Sequence, residues 1–259
     1  MSEKKPALWL RIYTFIVYAY IYFPILILII FSFNTQKLNI HWQGFTLMWY
    51  DKLFHDGQIL LATRNTLIIA FISTLVATII GTMAALALQR YRFPGYKVSE
   101  TVLYIPVVIP EVVMGIALLA FFAMAKFTLG LVTITLSHIA FNVPFVTLVV
   151  RARLHGFDKS IEEASMDLGA SELVTFWRVT LPTIMPGVLS GAMLAFTLSL
   201  DDYVITYFTA GPGSTTLPLR IFSMVRFAVT PEVNALSTIW VLIIFILLAI
   251  GEYARRRRV

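Results

Sequence analysis

Cysteine is absent from the chain, which excludes a disulfide framework, thiol catalysis and a thiolate metal site. Charge is scarce: 13% of the residues are charged, against about a quarter in a typical soluble domain. No G-x-x-x-x-G-K-S/T stretch occurs, so the chain has no P-loop of its own to cradle nucleotide phosphates. The histidines His41, His55, His138 and His155 form no H-E-x-x-H pair. No internal repeat suggests the duplicated halves found in many secondary transporters. These absences remove most of the support for catalysis, metal binding or nucleotide hydrolysis by this polypeptide.

What is present is apolar. Hydrophobic residues make up 59% of the 259 positions and mean hydropathy is +0.83. Apolar runs close to the length needed to cross a bilayer, about 20 residues, recur at roughly 12–33, 67–89, 102–125, 129–150, 184–208 and 234–253. Charge or turn residues bound each run. Lys4, Lys5 and Arg11 before the first run resemble the start of a signal peptide, but the run is long and lacks a small-x-small cleavage site after Ser32. We therefore expect an all-α membrane protein of six transmembrane helices, forming one domain over residues 1–259.

The basic residues set an expected orientation. With the N-terminus inside, the inner segments hold Lys4, Lys5, Arg11, Arg90, Arg92, Lys97, Arg151, Arg153, Lys159, Arg178, Arg255, Arg256, Arg257 and Arg258, which is 14 of the 20 basic residues. The positive-inside bias then puts both termini in the cytoplasm. The basic tail directly follows a span, where its ordinary role is to anchor topology near anionic headgroups. Nucleic acid is not the expected partner.

The inner loop at 156–182, GFDKSIEEASMDLGASELVTFWRVTLP, is too polar to cross the membrane and strongly patterned. Ser160 and Glu163 have the S-x-x-E spacing of a capping box. Ile161, Ala164, Ser165 and Leu168 recur on one face of a short helix, and Gly169 suits the left-handed residue that ends it. Ser171 is placed to cap a second short helix, and Pro182 to mark the turn into the fifth span. The bland alternative is an amphipathic segment on the membrane surface, anchored by Phe176, Trp177 and Arg178. That suits the second helix alone, because the first carries Glu162, Glu163 and Asp167 and fits a protein groove better.

This loop resembles a family. Binding-protein-dependent ABC importer permeases carry E-A-A, three residues, Gly, nine residues, then Ile-x-Leu-Pro. Here Glu163, Ala164, Ser165, Gly169, Val179, Thr180, Leu181 and Pro182 stand at that spacing, with Ser165 for Ala and Val179 for Ile as close-sized departures. The resemblance implies the ABC importer permease (MetI-like) fold, and a coupling helix between the fourth and fifth spans that docks on an ATP-hydrolysing subunit. It also implies the partners: a second permease forming a heterodimer, two ATPase subunits that bind ATP and Mg, and an external solute-binding protein. The segments at 41–50 and 199–238 look like the permeases of spermidine/putrescine importers, while related permeases for ferric iron and other solutes share the scaffold. A secondary transporter, a channel and a membrane enzyme are the rival classes; the docking-shaped loop speaks against the first two and the missing catalytic constellation against the third.

Three carboxylates are candidates for a solute pathway. An acidic residue near the bilayer centre costs roughly 2.5–3.5 kcal/mol on insertion scales and so faces a cavity or a partner. Glu111 falls halfway along the third run, just after Pro110 and near Pro106, where proline frees the carbonyls of Pro106 and Val102. Carboxylate and freed carbonyls are all acceptors, as an ammonium group requires. Asp201 and Asp202 lie toward the outer part of the fifth run and point in different directions, so at most one faces a pathway squarely. Their structural alternative is capping a helix break or pairing with Arg220 or Arg226; for Glu111 it is a hydrogen bond within the bundle. His138 and Asn142 read as groups that hydrogen-bond between helices. Trp42, Trp49, Tyr50 and Trp240 read as interface or packing groups. The outer segment 210–234 opens with Gly211, Pro212 and Gly213 and continues as a short amphipathic helix through Leu219, Phe222 and Val225.

Overall fold

A computed structural model of the chain describes residues 8–37 and 41–256. Lys4, Lys5, Arg257 and Arg258, used above for orientation, lie outside the described residues. Among the described residues the regular elements are helical, and extended backbone pairs at a single bridge, Asn34 with Phe45. In chain order the helices are α1 Leu8–Phe31, α2 Met48–His55, α3 Gly57–Arg90, α4 Tyr96–Val108, α5 Glu111–Met124 and α6 Leu131–Leu154. They continue as α7 Ser160–Asp167, α8 Glu172–Thr175, a π-helical segment Phe176–Thr180, α9 Leu181–Asp201, α10 Val204–Thr209, α11 Leu217–Val225 and α12 Pro231–Arg256.

By length and composition four stretches can each cross a membrane: Leu8–Phe31, Gly57–Arg90, Leu131–Leu154 and Glu172–Asp201. The third predicted run is not one straight span. It is the pair α4 and α5, bent by 113°, and counted as one crossing it brings the number to five. Ile109 is extended (φ −73°, ψ 135°) and so is Pro110 (φ −56°, ψ 137°). A residue before proline is pushed out of the helical region by the proline ring, and two extended residues in succession turn the chain. The sixth run is α12, with a shorter apolar stretch at Pro231–Ile246. The fifth run also differs from expectation: helix stops at Asp201, Asp202 is extended (ψ 121°), and α10 restarts the chain.

The chain divides into two compact units, Leu61–Arg220 and the described residues on either side of it. In the flanking unit, α12 packs against α1 and α2. There the loop after α1 is knotted around Asn34: its Nδ2 donates to the His41 carbonyl at 2.8 Å, and its own carbonyl accepts Trp49 Nε1–H at 2.7 Å. Trp49 is therefore a buried packing group, whereas Trp42 is exposed. Lys52 on α2 pairs with Glu232 on α12 at 2.6 Å.

The central unit is built on α6, which packs against α9. Small residues allow the approach: a Cβ added at Gly81 on α3 would lie 2.7 Å from Val146 Cβ, and one at Gly191 on α9 would lie 3.3 Å from Val146 Cγ1. Gly187, one turn before Gly191, meets Arg153 in the same way. Spacing of this small-xxx-small kind lets helix backbones close on each other by van der Waals contact, the main attraction available in lipid. Ala85, Val146, Val150, Leu154, Ile184, Val188 and Ala195 form an apolar core, against which Leu181 at the start of α9 packs. Thr147 Oγ1 is positioned between the Val143 carbonyl at 2.8 Å and the Gly81 carbonyl at 3.2 Å, joining α6 to α3.

Candidate functional site

The patterned loop folds as helix, bend and helix, with two changes from the sequence reading. Ser160 is the first residue of α7 rather than its cap, and neither Ser160 nor Glu163 makes the reciprocal capping contacts. Asp158 performs that role instead: its Oδ1 accepts the Ser160 N–H at 3.0 Å. That hydrogen bond holds the exposed Asp158 carboxyl below the usual carboxylate range. An acidic side chain two residues earlier takes the Ser160 N–H first, a contact that the S-x-x-E spacing does not register, which is why the local pattern misplaced the start.

The end of α7 follows the sequence. Gly169 has φ +89°, Ala170 N–H donates to the Ser165 carbonyl at 3.2 Å, and Gly169 N–H donates to the Met166 carbonyl at 2.9 Å. These are the two bonds of a Schellman ending, which needs a left-handed residue that glycine adopts without strain. Ser171 then caps the next helix, its Oγ accepting the Val174 N–H at 3.4 Å.

The second change is at Pro182, where no break occurs. Helix runs through Glu172–Asp201 because the turn before the proline widens: Leu181 N–H donates to the Phe176 carbonyl, five residues back. A widened π turn relieves the clash that a proline ring makes with the carbonyl four residues earlier. The second half of the loop, from Glu172, and the fifth span are thus one continuous helix. Leu181 packs against the apolar core while Pro182 stays exposed.

α7 faces outward. Ile161, Glu163, Ala164, Met166 and Leu168 are exposed, Leu168 at 90%. Ser165 is half-buried and its Oγ lies 3.1 Å from Thr175 Oγ1. The anchor is Glu162, which the sequence places among the acidic residues suited to a partner groove. Its Oε1 accepts hydrogen bonds from Arg90 at the end of α3 and from Thr180 in the π segment. Nearby, Arg151 at the end of α6 pairs with Glu100 on α4 and donates to Tyr96 Oη at 3.0 Å, and the Arg92 guanidinium lies 4.4 Å from the Tyr96 ring centre. Positive-inside counting placed these arginines at one membrane face; their acidic partners were not legible from it.

At the opposite end of α9 the three named carboxylates separate. Glu111 is the first residue of α5 and exposed; Asp201 is the last residue of α9 and exposed. Asp202 is turned into the bundle, its side chain 5% exposed. It caps the break, accepting Thr206 N–H at 2.8 Å, Thr206 Oγ1–H at 2.6 Å and Ile205 N–H at 3.3 Å. His138 Nε2 approaches Asp202 Oδ2 at 3.2 Å, and His138 Nδ1 meets Ser199 Oγ at 2.6 Å. The charges of Glu111, Asp201 and Asp202 are close enough to act on one another. α5 and α10 are brought into contact at Gly115, where an added Cβ would lie 2.5 Å from Phe208.

His138 is thus the interhelical hydrogen-bonding group expected from sequence. Asn142 is not: it is fully buried near the middle of α6, and neither amide atom has a partner. The hydroxyls of Thr74, Thr78 and Thr82, one turn apart on α3, are also buried without partners. Among the described residues no group of three His, Cys, Asp or Glu is placed to hold a metal ion.

Comparison with known proteins gives a consistent result. Residues 77–258 match the family model for the binding-protein-dependent transport system inner membrane component. The chain is 42% identical to the spermidine/putrescine transport system permease protein PotC of Haemophilus influenzae, over 95% of each chain. It is also 42% identical to the putrescine transport system permease protein PotI of Escherichia coli, over 89% of this chain and 85% of that one. In structure it resembles a bacterial ABC transporter involved in import of the acidic polysaccharide alginate, with TM-score 0.76 at 18% identity, covering 96% and 95% of the two chains. Identity at that level over nearly the full length is decisive, and the chain belongs to the family of binding-protein-dependent transport system inner membrane components, a multi-pass protein of the inner membrane.

Proposed function

We propose that this chain is one of two different permease subunits of an ATP-driven importer that moves polyamines into the cell. Both termini and the 151–182 segment face the cytoplasm, and two ATPase subunits carry ATP and Mg on that side. An external binding protein delivers solute on the other. The observation that carries this reading is the outward-facing α7: its polar edge is pinned by Arg90 and Thr180 through Glu162, leaving Ile161, Met166 and Leu168 exposed for a partner groove. Exposed apolar residues beside a pinned edge fit docking of one helix into a protein groove. Helix is continuous from α8 through α9, so motion of docked α7 that passes the Gly169 bend into α8 reaches Asp201 at the far end.

The cargo is assigned by charge as well as by kinship with polyamine permeases. Glu111 and Asp201 present exposed carboxylates next to a proline-broken helix, and an ammonium group leaving water needs such acceptors. Asp202, the third candidate, contributes from behind the pathway wall.

Reconstituted complexes assayed for uptake of spermidine, putrescine, ferric iron and a neutral sugar test the assignment. Polyamine uptake that falls in Glu111→Gln and Asp201→Asn, with assembly intact, supports it. Parental uptake in both variants removes the acidic pathway, and uptake of ferric iron alone removes the polyamine. Because the chain has no native cysteine, a single cysteine at Ser160 reports topology: labelling by an impermeant reagent from outside intact cells rejects the orientation.

A further inference from the structure

The end of α9 ties four helices through one chain of side chains. Ser73 on α3 lies 3.1 Å from Ser199 on α9, Ser199 lies 2.6 Å from His138 Nδ1 on α6, and His138 Nε2 lies 3.2 Å from Asp202 and 3.0 Å from Thr206 on α10. All five side chains sit in buried surroundings. With the hydrogen on Nε2, facing the carboxylate, Nδ1 is placed to accept from the Ser199 hydroxyl.

The donors to Asp202 divide by origin. Ile205 and Thr206 belong to α10 itself, so they close the turn after the break but fix nothing outside it. His138 comes from α6, the central helix of the unit, and ties the break to the bundle. Asp201 is the immediate neighbour of Asp202, so the peptide that His138 holds in place also sets where the exposed Asp201 carboxylate points.

We infer that His138 and Asp202 are positioning residues: they aim Asp201, and Asp202 does not itself touch the solute. The consequence for transport rests on the acidic-pathway reading above; the geometry does not.

A side-chain swap separates the two ring nitrogens. In His138→Gln the amide nitrogen reaches the place of Nε2 and keeps the donor to Asp202. In His138→Asn the amide oxygen reaches the place of Nδ1 and accepts from Ser199, keeping that contact alone. Asp201→Cys provides a probe in a chain without other cysteines, read as the rate of modification by a charged thiol reagent applied from outside to the assembled complex. His138→Asn should change that rate about tenfold, the size expected for losing a hydrogen bond to a charged group, and His138→Gln by about twofold or less. Equal rates in the parent and both variants overturn the proposal.

Uptake supplies the second readout, with co-purification of the ATPase confirming assembly. Asp202→Asn should lower polyamine uptake, and adding it to His138→Asn should lower uptake no further, since both act through one contact. Losses that multiply would show Asp202 acting on the solute directly and reject the positioning role. Labelling rates that behave as expected while Asp201→Asn transports normally support the positioning device and refute the acidic pathway instead.

Discussion

α7, which precedes the α8–α9 rod, and the far end of that rod each carry a pair of adjacent carboxylates, and each pair is split the same way. On α7, Glu162 is tied inward to Arg90 and Thr180 while Glu163 is exposed. At the far end of α9, Asp202 is tied inward to His138 and Thr206 while Asp201 is exposed. Neighbouring residues on a helix lie on different faces, which splits Glu162 from Glu163; Asp201 and Asp202 are split because the chain leaves the helix between them and Asp202 is extended. The pairs differ in burial. Side-chain exposure is 26% and 13% for Arg90 and Glu162, against 3% and 5% for His138 and Asp202. Near water a permanent cation suffices to hold a carboxylate; in the bundle the carboxylate is saturated with hydrogen bonds, and its partner is a ring that can stay neutral.

The comparison breaks most visibly at the buried pair. Asp202→Ala removes the acceptor for two backbone N–H groups, one hydroxyl and one imidazole, and should cost about 3 kcal/mol, the range for breaking a buried pair. A fall in the thermal unfolding midpoint of the purified complex, larger than that of Asp201→Ala, is the expected result.

The bend that presents Glu163 comes next. No atom lies within 4 Å of a Cβ added at Gly169, so the penalty in Gly169→Val is purely that of φ +89°, about 1–2 kcal/mol for a side chain in the left-handed region. Uptake should drop while membrane insertion, followed by fractionation, is unchanged. Glu162→Gln gives up the charge that Arg90 pairs with, for about 1 kcal/mol at a partly exposed site. Glu163→Gln should leave the unfolding midpoint where it is and weaken co-purification of the ATPase. Reversed behaviour of these two glutamates would overturn the division between holding and meeting.

The smallest effect sharpens the α7 side alone. The Asp158 carboxyl is held below its ordinary value by the Ser160 N–H, so the cap it provides to α7 is fully present above the unfolded carboxylate range and is lost as pH falls through the lower, folded value. Asp158→Asn keeps an acceptor for the N–H and should abolish that pH dependence, read as thiol-labelling protection of a cysteine placed at Ile161.

Much of this was legible in the sequence. Apolar run lengths located every long helix, and Gly169, Ser171 and the E-A-x spacing located the coupling segment, because turn chemistry and capping act over a few residues. The same local rules misplaced the start of α7, where Asp158 and Ser160 compete to cap, and turned Pro182 into a break that a π turn absorbs. They placed irregular backbone at Pro110 but not a bend of 113°, since proline forbids a conformation without choosing the direction of the next helix.

By itself the sequence determined that this chain lies in a membrane, roughly where its apolar spans fall, and which loop is patterned as helix, bend and helix; hydrophobicity, charge bias and capping are properties of neighbours along the chain. Which carboxylate of each pair is buried was decided by tertiary structure alone. Asp202 meets His138 across 64 positions and Glu162 meets Arg90 across 72. Helical periodicity on α7 and the helix break after Asp201 separate the adjacent side chains, but the side that turns inward is set by the helices packed against it, through the close approach that Gly81, Gly187 and Gly191 permit.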